Sequence, residues 1–160
     1  MRHMLIDTDT ASDDAVALVM ALKSPEVQVE AITLVAGNVP VDQAVQNALY
    51  TVELCGSSVP VYKGMAAPML RPLETAQNVH GHDGMGDIGL SLSGRTPAEG
   101  HAVDIIEQTI RRHANDITLV TLGPLTNVAL ALLRYPSLAG MVKECVIMGG
   151  IVVVPATSRR

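Results

Sequence analysis

Large aromatic side chains are almost absent from this chain, which has no Phe, no Trp and three Tyr among its 160 residues. Any core must therefore be aliphatic, and 48% of the residues are hydrophobic. This composition excludes a disordered chain, because such chains are poor in hydrophobic residues. A chain of this length is expected to bury one sizeable core, so we predict a single domain over residues 1–160.

Positive charge is also scarce. The chain has 11 Lys and Arg against 16 Asp and Glu, which gives a net charge of −5. Proteins that bind nucleic acids or anionic membrane surfaces usually cluster their Lys and Arg residues, whereas the few in this chain are scattered. We therefore expect neither a nucleic acid nor a membrane as a partner.

Cysteines and long apolar runs are few as well. Cys55 and Cys145 are the two cysteines, and both lie in apolar segments. They are predicted to be buried free thiols, which is typical of a reducing compartment. A membrane-spanning helix needs about 20 apolar residues, and the N-terminus reaches Asp7 too early for a signal peptide. We expect a cytoplasmic protein.

The densest chemistry lies in residues 5–18, where an apolar run precedes the carboxylates of Asp7, Asp9, Asp13 and Asp14. Asp7 and Asp9 are predicted to share one side of a strand end, because side chains alternate along a strand. Such a cluster stays ionised only beside a cation, and Ca²⁺ or Mg²⁺ prefers oxygen ligands. Helix capping is the alternative. Capping accounts for Asp13 and Asp14 but leaves the two strand carboxylates unexplained.

Hydrophobic periodicity predicts that strands alternate with helices along the chain. A capping box at residues 96–99, with Pro97 in the first turn, predicts where the third helix starts. Residues 63–95 show no convincing element, and long loops of this kind are usually functional. The predicted strands are residues 2–8, 27–36, 59–62, 117–122 and 142–148, and the predicted helices are 13–23, 40–56, 97–113 and 124–133.

The alternation predicts an α/β fold, a doubly wound and mainly parallel sheet with helices on both faces. Ligands of such sheets bind outside the carboxyl ends of the strands. Those ends carry Asp7 and Asp9, Gly37-Asn38, Leu122-Gly123 and Met148-Gly149-Gly150. The polar and glycine-rich segments are therefore expected at one edge of the sheet.

Residues 7–14, Asp-Thr-Asp-Thr-Ala-Ser-Asp-Asp, resemble the Asp-x-Asp-x-x-x-Asp-Asp signature of the inosine-uridine-preferring nucleoside hydrolases. Thr10-Ala11 stands where that family commonly has Pro-Gly. The resemblance extends from residue 3 to about residue 150 and implies the family's Rossmann-like fold. Four further stretches follow in the family's order: residues 35–39 with 47–49, residues 80–81 with 84–86, residues 122–129 and residues 146–150.

The resemblance implies a Ca²⁺-dependent hydrolysis of the N-glycosidic bond of a ribonucleoside, giving ribose and a free base. It implies that Asp9 contacts the metal and acts as the general base toward water. Asp14 would be a bidentate metal ligand, and the backbone carbonyl of Leu122 another. This assignment agrees with the chemistry, since Ca²⁺ accepts several oxygens and carboxylates stabilise an oxocarbenium-like sugar.

For the substrate, the resemblance implies that Asp13 and Asn38 hold ribose hydroxyls, that Met148 lines the sugar pocket and that His80 lies near the base. Family members continue past Gly149-Gly150 with further ribose-binding, metal-binding and proton-donating residues. Residues 151–160 supply none of these. We therefore expect the N-terminal portion of a hydrolase with impaired activity. A homo-oligomer is also expected, because family members are commonly oligomeric and an uncovered strand edge invites pairing.

Two other functions stay open. A haloacid-dehalogenase-like phosphatase also begins with Asp-x-Asp after an apolar strand and uses Mg²⁺, although Ala11 and the pair Asp13-Asp14 are unusual there. The second alternative is an inactive remnant that binds metal or ribose without turnover.

The histidines give a weaker signal. Residues 80–83, His-Gly-His-Asp, could hold a transition metal, but no further Cys or His follows at zinc-like spacing. This run is therefore interpreted as an active-site loop or an exposed turn. His3, His101 and His113 are expected at the surface or at helix ends.

Overall fold

The structure is a computed structural model that describes residues 1–149, so residues 150–160, including the end of the motif at 146–150, lie outside the described residues. The strands are β1 Arg2–Thr8, β2 Val27–Leu34, β3 Val61–Lys63, β4 Ile117–Thr121 and β5 Glu144–Ile147. The helices are α1 Ser12–Lys23, α2 Val41–Leu54, α3 Gln77–His80, α4 Ala102–Arg112 and α5 Thr126–Arg134, followed by a 3₁₀ helix at Pro136–Gly140.

The strands form one sheet in the order β3-β2-β1-β4-β5, and every neighbouring pair is parallel. This confirms the predicted doubly wound sheet. From β1 the chain proceeds outward through β2 to β3, then returns to place β4 on the other side of β1. The carboxyl ends of β1 and β4 therefore flank the point where the strand order reverses, which is where such folds bind ligands.

Two separate cores cover the two faces of the sheet, as predicted. Ile6 packs in a core with Leu18 of α1 and residues of α2. Its neighbour Leu5 packs in the other core, with Ile106 of α4 and Ala131 of α5. Successive residues of β1 therefore point to opposite faces, and both are buried in aliphatic contacts.

The register of β1 against β2 shifts between Met4 and Leu5, which leaves Glu30 as an extra residue in β2. A bulge of this kind reverses the alternation of the strand. Accordingly, Val29 packs in the core with α1 and α2, whereas Ala31, two residues later, packs in the core with α4 and α5. Strict alternation along β2 would place Val29 and Ala31 on one face, and the bulge is the reason that they lie on opposite faces.

The third long helix begins at Ala102 rather than at Pro97, so the predicted capping box is wrong. The Ala98 N–H donates to the carbonyl of Val61 at 2.8 Å, which ties this segment to β3. Gly100 then takes a φ of +118°, which a right-handed helix cannot include. His101 is the N-cap residue instead, since its side chain accepts the N–H of Val103.

Two smaller predictions also need correction. Residues 63–95 contain the four-residue helix α3, which the sequence pattern did not indicate. Cys55 is buried and free as predicted, but Cys145 is free and exposed. Cys145 lies in β5, a strand at the sheet edge whose four residues are all exposed. Within residues 1–149, no helix is long and apolar enough to cross a membrane.

The sheet-facing side of α1 offers a test of these cores. Leu18 is fully buried, whereas Met20 on the same helix is 70% exposed. We expect Leu18→Ala to lower the free energy of unfolding by about 2–5 kcal/mol, because the cavity adds to the lost burial. Met20→Ala is the matched control and should change it by less than about 0.5 kcal/mol. Urea denaturation measures both, and equal losses would contradict the packing of α1.

Candidate active site

An open cleft of about 460 Å³ lies at the carboxyl ends of the central strands. Its walls come from the loops that follow β1, β2 and β4, from the segment before α3, and from the residue after β5. Four of the residues predicted for the site meet there. The lining residues are Asp9, Gly37, Asn38, Glu74, Thr75, Ala76, Leu122, Gly123, Pro124 and Met148.

The backbone continues the sheet hydrogen bonding into this cleft. The Leu122 N–H donates to the carbonyl of Asp7 at 2.8 Å, and the Met148 N–H donates to the carbonyl of Thr121 at 2.8 Å. These bonds extend the β1–β4 and β4–β5 pairings by one residue each. Leu122 and Met148 are thereby held beside the end of β1, at the edge where Asp9 lies.

Asp9 is the most constrained carboxylate in the cleft and is only 3% exposed. Its Oδ2 accepts the backbone N–H of Asn38 at 2.5 Å. Its Oδ1 is buried and has no hydrogen-bond partner among the described residues. Burying an unpaired carboxylate oxygen is unfavourable unless a ligand pairs with it. One oxygen of Asp9 is therefore fixed by the protein, and the other is left for a ligand.

Two glycines make room for the Asp9 side chain. A Cβ at Gly123 would lie 2.7 Å from Asp9 Oδ1 and 2.8 Å from the Asp9 nitrogen. A Cβ at Gly37 would collide with Asp9 Oδ2. Any other residue at either position would displace the carboxylate, so the two glycines after β2 and β4 are part of the site.

Asp14 lies in the first turn of α1 and is 2% exposed. Its Oδ2 accepts the hydroxyl of Thr8 at 3.1 Å. Burial raises the pKa of the Asp14 carboxyl, and the nearby negative charges of Asp9 and Asp13 raise it further. Two carboxylates crowded in this way favour a shared proton or a cation between them.

Asp7 is fully buried at the end of β1. Its Oδ1 accepts the Thr33 hydroxyl at 2.6 Å and the Asn127 amide at 2.9 Å. Burial raises the pKa of Asp7 to about 7, although these two hydrogen bonds lower it and the charge of Asp9 raises it. Its Oδ2, like Asp9 Oδ1, is buried without a partner within residues 1–149, but Asp7 does not line the cleft, so its role is to position the β1 end.

Asn127 has a positioning role that sequence reasoning did not assign, although the residue lies in a quoted motif. Its amide group donates to Asp7 and to the carbonyl of Leu34, each at 2.9 Å. Its side-chain oxygen accepts the Met65 N–H at 3.0 Å. One buried amide therefore joins α5 to β1, β2 and the loop after β3. The motif gave the residue type, but its partners are 60 or more positions away.

Asn47 joins two loops in a similar way, the loop after β1 and the loop after α3. Its side-chain nitrogen donates to the carbonyls of Thr10 and Asp83, each at 2.9 Å. Its side-chain oxygen accepts from Gln43 at 2.9 Å. The loop after β1 is therefore fastened to the loop that follows α3.

Asp13 and His80 lie apart from the lining residues of the cleft and near each other. His80 Nδ1 is 3.4 Å from the hydroxyl of Ser12 and 4.0 Å from Asp13 Oδ1. The Asp13 side chain is 58% exposed and that of His80 is 18% exposed. The structure thus brings these two predicted substrate-binding residues together at the start of α1.

The run His-Gly-His-Asp at residues 80–83 begins at the last residue of α3 and continues into a turn. The carboxylate of Asp87 accepts the backbone N–H groups of His82 and Asp83 at 3.0 and 3.1 Å. Convergent metal-ligating side chains lie elsewhere: within the described part of the chain, the one group of three is His3, Glu30 and His113. His101 and His113 cap the two ends of α4, which confirms their predicted place at helix ends.

The buried carboxyl of Asp7 should make stability depend on pH. Its pKa is about 7 in the folded protein against an ordinary 3.8, so the folded state retains a proton that the unfolded state releases. Stability therefore falls as pH rises from 4 to 7, by on the order of 4 kcal/mol for this group. Asp7→Asn should flatten this decline, so that the free energy of unfolding of the variant rises relative to that of the parent as pH rises.

Urea denaturation at several pH values, in the presence of a chelator, measures the effect. Asp104→Asn, which removes an exposed carboxylate of α4 that pairs with Arg134, is the control. Parallel profiles for the parent and Asp7→Asn would refute this assignment of Asp7.

Comparison with known proteins identifies the family of this chain. The sequence profile described as inosine-uridine preferring nucleoside hydrolase matches residues 4–157. The chain is 40% identical over 148 residues to the non-specific ribonucleoside hydrolase RihC of Salmonella newport, covering 92% of this chain and 48% of that protein.

Two solved structures are similar in fold. A plant nucleoside hydrolase, PpNRh1, is 40% identical with a TM-score of 0.89, over 94% of this chain and 48% of that chain. The purine-preferring ribonucleoside hydrolase from Gardnerella vaginalis is 35% identical with a TM-score of 0.88, over 94% of this chain and 49% of that chain.

The chain spans about half the length of the curated relatives it matches. Over that half, the profile covers nearly every residue and the fold agrees. This chain therefore belongs to the inosine-uridine preferring nucleoside hydrolase family.

Proposed function

We propose that this chain takes part in the hydrolysis of the N-glycosidic bond of a ribonucleoside, releasing ribose and a free base. The observation that carries the proposal is the Asp9 carboxylate, which has one oxygen fixed by Asn38 and the other buried without a partner among the described residues. The relatives named as ribonucleoside hydrolases match this chain over about half of their own length.

The proposed cofactor is Ca²⁺, with Asp9, Asp14 and the backbone carbonyl of Leu122 as ligands. These groups fit such an ion, because they are oxygens of the kind that Ca²⁺ prefers and because Asp9 Oδ1 is orphaned. The raised pKa of Asp14 beside Asp9 also indicates a place where positive charge would be stabilised. When bound, the ion lowers the pKa of water and stabilises developing negative charge.

Asp9 is the proposed general base. Its Oδ2 accepts from Asn38, so Oδ1 would contact the ion with one lone pair and take the proton from the attacking water with the other. The water oxygen bonds to the anomeric carbon as the carbon–nitrogen bond breaks, and the electron pair of that bond leaves with the base. The carboxylates of Asp9 and Asp14 stabilise the positive charge that develops on the sugar.

The remaining site residues are proposed to hold the substrate. Asn38 and Met148 line the cleft with Asp9 and are proposed to contact the ribose. Asp13, whose carboxylate is exposed, is proposed to bind ribose hydroxyls. His80, which lies beside Asp13, is proposed to lie near the base. Because hydrogen bonds to sugar hydroxyls fix the anomeric carbon relative to the water, they contribute to rate as well as to affinity.

Ribose release from inosine and uridine, in the presence of Ca²⁺, tests the proposed chemistry. Asp9→Asn should lower the rate about 10²–10⁴-fold, because it removes the general base. Asp104→Asn, on α4 and not among the residues that line the cleft, should leave the rate unchanged.

A phosphomonoester is the comparison substrate. Its hydrolysis, with no release from nucleosides, would favour the phosphatase alternative and contradict the proposal. If Ca²⁺ binds but neither substrate is cleaved, the chain is a ligand-binding remnant, and the proposed activity is refuted for this chain.

Thermal melting tests the cation site separately. We expect Ca²⁺ to raise the melting temperature of the parent, since a ligand that binds only the folded state stabilises it. Asp14→Asn should lose this shift. Without Ca²⁺, the same variant should melt at or above the parent temperature, because the repulsion between Asp9 and Asp14 is removed.

The behaviour without Ca²⁺ separates loss of the site from loss of the fold. Asp104→Asn should keep the full shift, and Mg²⁺ should give a smaller one, because Mg²⁺ demands a stricter geometry. An unchanged Ca²⁺ shift in Asp14→Asn would place the ion elsewhere and contradict the assignment.

We also propose a cytoplasmic location and a homo-oligomer. Both cysteines are free, which fits a reducing compartment. In the described part of the chain, β5 is an edge strand that pairs with β4 alone. Val146 and Ile147 of this strand, and Met148 directly after it, are about half exposed. An apolar edge of this kind favours strand pairing with a second copy.

Light scattering at micromolar concentration tests the homo-oligomer. We expect a dimer or larger assembly, shifted toward monomer by Val146→Lys, because a charged edge opposes pairing. Deletion of residues 151–160 should weaken the assembly as well. Met20→Lys, at an exposed site on α1, is the control. A monomeric parent would refute the proposal.

A further inference from the structure

A second cluster of chemically active side chains lies far from the cleft. It contains His3 near the start of β1, Glu30 in the bulge of β2, and His113 at the C-terminal end of α4. One ligand atom from each of the three lies within 4.8 Å of the others. Asp7 lies four residues beyond His3 on β1, roughly 13 Å along the strand, so the two sites occupy opposite edges of the sheet.

We propose that His3, Glu30 and His113 bind a zinc ion or a chemically similar divalent transition metal. Two imidazoles and one carboxylate form a three-residue zinc ligand set that leaves a fourth position for water. Imidazole nitrogens select this class of metal over Ca²⁺ and Mg²⁺. The chemistry therefore differs from that of the all-oxygen cleft.

The distances suit such an ion. His113 Nε2 lies 3.4 Å from Glu30 Oε2, close to the roughly 3.3 Å between ligand atoms that tetrahedral bonds of 2.0–2.1 Å produce. His3 Nδ1 lies 2.6 Å from Glu30 Oε1. That pair is hydrogen-bonded without a metal and needs to separate by less than about 1 Å to admit one.

The His113 ring provides an independent observation. Its Nε2 is buried and has no hydrogen-bond partner among the described residues, although Glu30 lies near. The rings of His3 and His113 stack with centroids 4.7 Å apart. An ion pair of Glu30 with His3 alone leaves that nitrogen unexplained.

The neighbours of His3 fit the same interpretation. Asp116 Oδ2 lies 4.0 Å from His3 Nε2, on the ring nitrogen opposite the one that faces Glu30. The Lys143 ammonium donates to Asp116 Oδ1 at 3.1 Å and anchors that carboxylate. Metal-binding histidines commonly have their other nitrogen oriented by a carboxylate, and Asp116 needs to approach His3 by about 1 Å to make that hydrogen bond.

The bulge in β2 is the backbone feature that makes the cluster possible. Glu30 is the extra residue between Val29 and Ala31, which point to opposite faces of the sheet. Bulges re-aim side chains, and here the carboxylate is brought level with His3. An ion at this point would join β1, β2 and the end of α4, and so stabilise the folded state.

Zinc titration of the tag-free 160-residue chain, in excess Ca²⁺ and against a chromogenic chelator, tests the site. We expect one Zn²⁺ per chain and a raised melting temperature. His3→Ala and His113→Ala should each lower the affinity by more than the 10- to 100-fold that loss of an orienting partner costs. Asp116→Asn should lower it within that range. His101→Asn removes a histidine outside the cluster and keeps a capping side chain, so it should bind as the parent does.

Co²⁺ provides a spectroscopic measurement. Visible absorption typical of a four- or five-coordinate site should appear with the parent and vanish with His113→Ala, whose fold is checked by circular dichroism. If that variant fails to fold, the Zn²⁺ affinity of the exposed Asp116→Asn variant tests the site instead. Equal Zn²⁺ affinity in the parent, Asp116→Asn and both histidine variants would overturn the proposal, as would binding that is lost with Asp14→Asn instead.

Discussion

The structure depends on burying carboxylates at the end of its central strand. Asp7 and Asp9 are almost inaccessible to solvent, which is unfavourable unless hydrogen bonds or a cation compensate. Asp7 is compensated on one side, because its Oδ1 accepts from Thr33 and Asn127, while its Oδ2 is buried without a partner among the described residues. Asp9 is compensated on one side, by the backbone of Asn38. The two carboxylates differ in position, since Asp9 lines the cleft and Asp7 does not, and this separates a positioning role from a ligand-binding role at the same strand end.

The parallel topology explains why that strand end is surrounded by loops. In a sheet ordered β3-β2-β1-β4-β5, the loops after β1, β2 and β4 all leave from one edge. Gly37 and Gly123 then permit the loops after β2 and β4 to approach the Asp9 carboxylate closely. Asn47 and Asn127 hold these loops with buried amide hydrogen bonds, which are favourable because every polar atom is paired.

The two edges of the sheet have different ligand chemistry. Carboxylates and backbone carbonyls dominate the carboxyl edge, where the family's hydrolytic site is proposed. At the opposite edge, the cluster of His3, Glu30 and His113 depends on a single extra residue in β2. The same β1 strand therefore links an oxygen-rich site to a nitrogen-rich one, each suited to a different class of cation.

Sequence by itself determined the strand–helix alternation, the parallel sheet and the gathering of Asp9, Asn38, Leu122 and Met148 at one edge, because local periodicity and the chirality of crossovers dictate these features. Tertiary structure decided what depends on distant partners. The contact of Ala98 with β3 and the φ of Gly100 overrode the capping box. The pairing of Asp7 with Asn127 and the bulge of β2 likewise arise from strands and helices meeting in space, which no local pattern records.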